Sequence, residues 1–159
     1  MADILSPNVQ RVRDAIKRLG FSIEVVELEA ITRTSADAAH AVGCNVEQIA
    51  KSLIFQTEIT HRPMLVIASG SNRVDEKKMA ELISEPIGKA DADFVREHTG
   101  FAIGGVPPVG HLEKLDIFID EDLLQYEEIW AAAGSPHAVF KLASSDLVKM
   151  TGGRVTSIK

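Results

Sequence analysis

The run Ile49-Ala50-Lys51-Ser52-Leu53-Ile54-Phe55 constrains the fold more than any other stretch of this chain. Side chains on a strand alternate between faces, so Lys51, Leu53 and Phe55 share one side, and Ser52, Ile54 and Gln56 share the other. Both sides carry apolar groups, which predicts a central strand covered on both faces. A lysine in such a strand has two outcomes. Its stem packs on apolar neighbours while the ammonium reaches water, or the ammonium meets an anion, because an unpaired buried cation is costly.

Downstream lies Gly104-Gly105-Val106-Pro107-Pro108-Val109-Gly110-His111. Gly104 and Gly105 allow the backbone to approach a ligand closely, while Pro107 and Pro108 stiffen the loop and remove two amide donors. Such a loop can hold an amino group or a water, or stabilise negative charge developing on an attacked ester. It reads equally well as a rigid connector between strands. Taken with Lys51, it suggests a pocket for a negatively charged ligand.

The length of 159 residues fits one domain, residues 1–159, with a core that needs neither disulfides nor metal. The lone Cys44 has no partner for an internal disulfide and fits a reducing compartment. The first residues lack a basic segment followed by a long apolar stretch, and no run approaches the length of a membrane span. A cytoplasmic protein without membrane contact is expected. The net charge of −6 disfavours an extended grip on a phosphate backbone. It leaves room for a nucleotide or the end of an RNA where positive charge is focused locally.

Patterning predicts a helix over residues 7–19, with Ser6 as N-cap, Pro7 in the first turn and Gly20 as terminator. A strand over 21–28 follows, then a short helix from the capping sequence Thr34-Ser35-Ala36-Asp37 to Gly43 and a further turn from Asn45. Strands are expected over 51–56, 64–68, 101–103, 115–120, 128–132 and 138–142, and helices over 74–83, 91–98 and 145–150. Gly134-Ser135-Pro136 should turn the last two of these strands into a hairpin, and the segment 154–158 closes the chain. Strands and helices mix without a regular βαβ rhythm. The expected class is therefore mixed α/β (α+β): a curved, partly barrel-like mixed sheet flanked by helices.

Several chemistries lack their signatures. No GxSxG is present, and Ser69-Gly70-Ser71-Asn72-Arg73 reads as a turn and helix cap rather than a nucleophile elbow. GxxxxGK[ST], HExxH and paired CxxC are also missing, so neither nucleotide hydrolysis nor a metal site is indicated, and no cofactor is expected. His111 and His137 are isolated histidines, and Glu121-Asp122 and Glu127-Glu128 read as solvated surface.

Three segments in order carry a resemblance: Thr32-Arg33-Thr34-Ser35-Ala36-Asp37-Ala38-Ala39, the run around Lys51, and Gly100-Phe101-Ala102-Ile103 leading into the glycine- and proline-rich loop. Together with Ala133-Gly134-Ser135-Pro136-His137 and the ending from Asp146-Leu147 through Ile158, they resemble the YbaK family, related to the editing domain of bacterial prolyl-tRNA synthetases. The resemblance extends from about residue 20 to the C-terminus.

It implies a YbaK-like fold and a free-standing deacylase that hydrolyses mischarged tRNA in trans. The family's lysine corresponds to Lys51 and its GxxxP loop to Gly104-Gly105-Val106-Pro107-Pro108. The implied roles are catalysis for Lys51, Gly104 and Gly105, and substrate binding for Pro108, His111, Ala132, Gly134, Ser135 and His137. His137, kept beside Ala132-Ala133-Gly134-Ser135, departs from the cysteine-specific branch. Alanine, serine or another small amino acid on tRNA(Pro) is the implied cargo. The implied partners are the acceptor end of aminoacyl-tRNA and prolyl-tRNA synthetase. A non-catalytic module that captures an aminoacyl or nucleotide end is the competing expectation.

Overall fold

A computed structural model describes residues 6–28 and 34–159. The motif residues Thr32 and Arg33 lie outside the described residues. The chain opens with α1 (Pro7–Arg18), started by the Ser6 hydroxyl, which accepts the Val9 N–H. Val9, Val12 and Ile16 share one stripe of this helix and are fully buried. Strand β1 (Val25–Glu27) follows, shorter than the expected 21–28. Helix α2 (Ser35–Val42) begins where the Thr34 hydroxyl accepts the Asp37 N–H and ends at Gly43 in the left-handed region.

A 3₁₀ turn (Val46–Gln48) delivers the chain into β2 (Ile49–Thr57), which pairs antiparallel with β3 (Pro63–Ser69) along most of its length. Then come α3 (Glu76–Ile83), the short β4 (Ile87–Lys89) and α4 (Ala92–Thr99). Asp75 and Asp91 cap the two helices through their carboxylates, and Gly100 at φ 82° ends the second. Strand β5 (Asp116–Asp120), a 3₁₀ turn (Glu121–Gln125), β6 (Glu128–Ser135), β7 (Ala138–Ala143), α5 (Ser144–Thr151) and β8 (Arg154–Thr156) complete the order.

All the strands join one mixed eight-stranded sheet in the order β1-β7-β6-β2-β3-β5-β8, with β4 added beside β2. Three pairs are parallel (β2–β6, β3–β5, β5–β8) and the others antiparallel, and the sheet is open, with β1 and β8 at its ends. The alternation in β2 divides the core. Ala50 and Ile54 pack with α1, α4 and the loop after it, while Leu53 and Phe55 pack with Met79, Leu82 and Ile83 of α3. Among the described residues, no helix is long and apolar enough to cross a membrane.

Two further expectations differ from the structure. Residues 101–103 do not form a strand: the Thr99 hydroxyl accepts the Phe101 N–H, and the Gly105 N–H closes a turn on the Ala102 carbonyl at 3.0 Å. Local hydrogen bonds thus satisfy the backbone that a ladder would have used. The β6–β7 turn is the dipeptide Pro136-His137, because Gly134 and Ser135 still belong to β6.

Candidate active-site cleft

The cleft originates in a fork on one edge of β2. Strand β6 pairs with that edge only at Ile49 and Ala50, and β4 pairs only from Phe55 to Thr57. Between them the backbone around Lys51 to Leu53 has no strand neighbour on that side among the described residues. Two cavities of about 590 and 570 Å³ open there and share Lys51, Ser52, Leu53, Ile103, Gly104 and Val106. Lys51 and Gly104, far apart in sequence, therefore face the same space.

Lys51 is half-buried, and its ammonium reaches the Gly70 carbonyl at 3.5 Å, the outer limit of a hydrogen bond. Burial pushes it below the ordinary lysine value of 10.5; the Arg73 guanidinium adds to that shift and the Asp120 carboxylate opposes it. No ion pair neutralises Lys51 among the described residues. A desolvated cation with one long internal contact is poised to take an anionic or strongly polar ligand.

The loop carrying Gly70 and Arg73 is held by a buried carboxylate. Asp120, at the end of β5 and 1% exposed, accepts the Ser69 N–H at 2.9 Å, the Asn72 side-chain amide at 2.8 Å and the Asp122 N–H at 2.9 Å. Gly70 itself has no room for a side chain: a β-carbon there would lie 2.3 Å from the Val46 carbonyl oxygen and 2.8 Å from the Ser35 β-carbon. Gly70→Ala should cost about 2–3 kcal/mol through forced displacement of backbone, read as a lowered urea midpoint, and should move the carbonyl away from Lys51.

Opposite Lys51, Gly104 is exposed at φ +91°, and nothing lies near the position of a β-carbon. Its N–H and carbonyl make no hydrogen bond among the described residues. Gly105 sits behind it, with its N–H spent on Ala102 and its α-carbon pressed against the Ser135 backbone, where a side chain would collide at 2.9 Å. Pro107 and Pro108 are buried. His111 is half-buried behind the loop, edge-on to Phe101, and its Nε2–H donates to the Pro107 carbonyl at 2.7 Å. It braces the loop from the rear and does not line the cleft.

Burial pushes His111 below its ordinary value of 6.5; the Pro107 carbonyl opposes this and the Arg11 guanidinium reinforces it. The unfolded chain then takes up the proton first as pH falls, so stability is retained above 6.5 and declines below it. Urea midpoints at about pH 7.5 and about pH 5.5 should differ for the native chain, and His111→Gln should narrow that difference.

The β6–β7 hairpin supplies the remaining wall. Its register slips between Ala132 and Ser135, and Ala132 and Ser135 line the second cavity with Pro136 and Trp130. Gly134, at φ +99°, turns away and packs against Asn8 and Val12 of α1. His137 is exposed in the turn. Its N–H donates to the Ser135 hydroxyl at 3.0 Å, and its carbonyl accepts the Leu28 N–H. The cleft thus gathers Lys51, Gly104, Ala132 and Ser135, with Gly105 directly behind, whereas Pro108, His111, Gly134 and His137 lie outside its lining.

Two cleft residues had no sequence signal. The Ser52 hydroxyl is buried at the fork without a hydrogen-bond partner among the described residues. Arg73 reaches the first cavity from the loop before α3. Unpartnered, Ser52 has no base to activate it as a nucleophile; it is a donor and acceptor held ready for a ligand.

Comparison with known proteins gives a consistent result. Residues 29–150 match the family model of the aminoacyl-tRNA editing domain. A solved structure of a candidate trans-editing enzyme for prolyl tRNA synthetase superposes with a TM-score of 0.92 at 48% identity, over 98% of this chain and 99% of that one. The uncharacterized protein YwhH of Bacillus subtilis is 29% identical over 83% of each chain. A candidate Cys-tRNA(Pro)/Cys-tRNA(Cys) deacylase of Enterococcus faecalis, EbsC, is 25% identical over 69% of this chain and 70% of that one.

Proposed function

This chain belongs to the aminoacyl-tRNA editing domain family, and from that premise we propose that residues 1–159 act as one editing domain that hydrolyses, in trans, the ester of mischarged tRNA. The substrate is tRNA(Pro) carrying a small non-cognate amino acid. The observation that carries this reading is the meeting of two elements in one cleft. A desolvated, unpaired ammonium on β2 faces a glycine backbone with free polar groups on the loop after α4.

Hydrolysis needs water to attack the ester carbonyl, a group to stabilise the oxygen that becomes negative, and a hold on the terminal ribose. The ester is already activated, so orientation and electrostatics suffice without a covalent intermediate. Lys51 supplies positive charge at the fork and engages the sugar–phosphate end of the terminal adenosine. Gly104 offers its exposed main chain to the aminoacyl group, and Gly105, locked against Ser135, keeps that main chain in place. Ala132 and Ser135 leave room for a small side chain. The ribose hydroxyl leaves with the proton that the attacking water gives up, and free amino acid and tRNA are released.

Incubation with tRNA(Pro) charged separately with alanine, cysteine, serine and proline tests this. Accelerated loss of at least one small non-cognate amino acid, with prolyl-tRNA(Pro) spared, is the expected pattern. Binding without acceleration of any ester would reveal a capture module instead.

A further inference from the structure

The two halves of the cleft differ in charge. Among the described residues, the cavity on the α3 side is lined by Lys51, Arg73 and Lys89 against the one carboxylate of Glu76. The cavity on the hairpin side has Lys51 as its one ionisable lining residue among the described residues and is otherwise walled by small and apolar groups, Trp130 and Ala131 among them. Neither Arg73 nor Lys89 is in an ion pair among the described residues, and both are exposed. This concentration of unpaired positive charge sits on a chain of net charge −6. It costs self-repulsion, visible in the downward push of Arg73 on Lys51.

The geometry points to a phosphodiester-binding subsite in the α3-side cavity, formed by Arg73 and Lys89, that grips the single-stranded RNA backbone immediately upstream of the terminal adenosine. This deepens the reading of the cleft as the aminoacyl-end site and rests on it. Lys51, common to both cavities, marks the boundary: aminoacyl group on the hairpin side, nucleotide backbone on the α3 side. The guanidinium of Arg73 suits a phosphate fork, and Lys89 adds a second point charge from β4. The arrangement also gives the cleft a direction, so that the strand enters past α3 and ends at the hairpin. It accounts for how an acidic protein holds an RNA end without an extended basic face.

The test is direct binding of a fluorescein-labelled, uncharged RNA hairpin ending in single-stranded CCA, measured by anisotropy across a salt series. Arg73→Gln and Lys89→Gln should each weaken binding ~10-fold, as expected for loss of a hydrogen bond to a charged group. Each should also flatten the dependence of log affinity on log salt by about 0.7. Lys149→Gln on α5, the same charge change outside the cleft, should do neither. On an ester that the charged-tRNA panel shows to be hydrolysed, both cleft variants should lose ~10-fold more kcat/KM with tRNA than with the same amino acid esterified to adenosine alone.

Native affinity and an unchanged salt slope in both variants would overturn the subsite, as would an effect of equal size from Lys149→Gln. A protein that binds the hairpin through Arg73 and Lys89 but hydrolyses no ester keeps the subsite and loses the deacylase reading. A protein that hydrolyses esters with both variants binding normally does the reverse.

Discussion

Replacing Lys51 with methionine should lower ester hydrolysis by at least ~100-fold, the usual loss when a preorganised electrostatic group is removed from an active site, while leaving the fold as stable as before or more so. The second half of this expectation follows from how poorly the protein itself uses the ammonium. Its internal contact, to the Gly70 carbonyl, is 3.5 Å long, and its surroundings push the protonated form below the ordinary lysine value. A lysine whose folded-state pKa is depressed costs stability at every pH where it is charged in the native state. Methionine keeps an unbranched apolar stem of similar length at the same position of β2 and removes that cost. Lys51→Arg should not rescue activity fully, because a planar guanidinium spreads its charge over a fork of donors and does not reproduce a compact point charge on a slim stem. Single-turnover deacylation together with urea titration reads both halves. A large loss of stability in Lys51→Met would mean that the ammonium holds the protein together rather than the substrate.

Asp120→Ala should act in the opposite sense, as a severe stability defect of about 3–5 kcal/mol, with activity lost because the loop that frames Lys51 is released. The carboxylate is almost wholly buried and accepts from Ser69, Asn72 and Asp122. Alanine leaves two main-chain N–H groups without their acceptor, and a buried donor left unsatisfied carries its full desolvation penalty. Asp120→Asn should cost less, since one oxygen still accepts, though its amide must face a donor. The urea midpoint orders the three proteins: native, then asparagine, then alanine. Near-native stability of the alanine variant would remove Asp120 from the framing of the cleft.

What the chain declares locally, it declares well. Ser6, Thr34, Asp91 and Gly100 stand where caps are observed, and the two-sided apolar pattern of β2 correctly marks a central strand. Ile87-Gly88-Lys89 is too short and too glycine-bearing to read as a strand, and it becomes one only because the far end of β2 offers an edge. That same pairing creates the fork, so the cleft depends on an element invisible in the sequence. Phe101-Ala102-Ile103 has a strand's composition, but the Thr99 hydroxyl turns it back on itself.

Lys51 and Gly104 stand out as a misplaced cation and a permissive glycine, whatever surrounds them. Ser52 and Arg73 do not, because an unpartnered hydroxyl and an unpaired guanidinium become visible only when the space around them is known. His111 and His137 show the converse. Histidine next to glycine-rich sequence invites a ligand role, yet one braces Pro107 from behind and the other occupies a hairpin turn. Asp120 lies 51 residues from Ser69, and nothing local announces that they meet.

The account rests on one cleft receiving the aminoacylated end of tRNA between Lys51 and Gly104. Amide chemical shifts recorded while titrating adenosine that carries alanine through a non-hydrolysable 3′-amide test this most directly. The largest changes should fall on Ser52, Gly104 and Ala132, with Lys51→Met abolishing them. Shifts centred on His137 and the far side of the hairpin, with Ser52 and Gly104 silent, would contradict it.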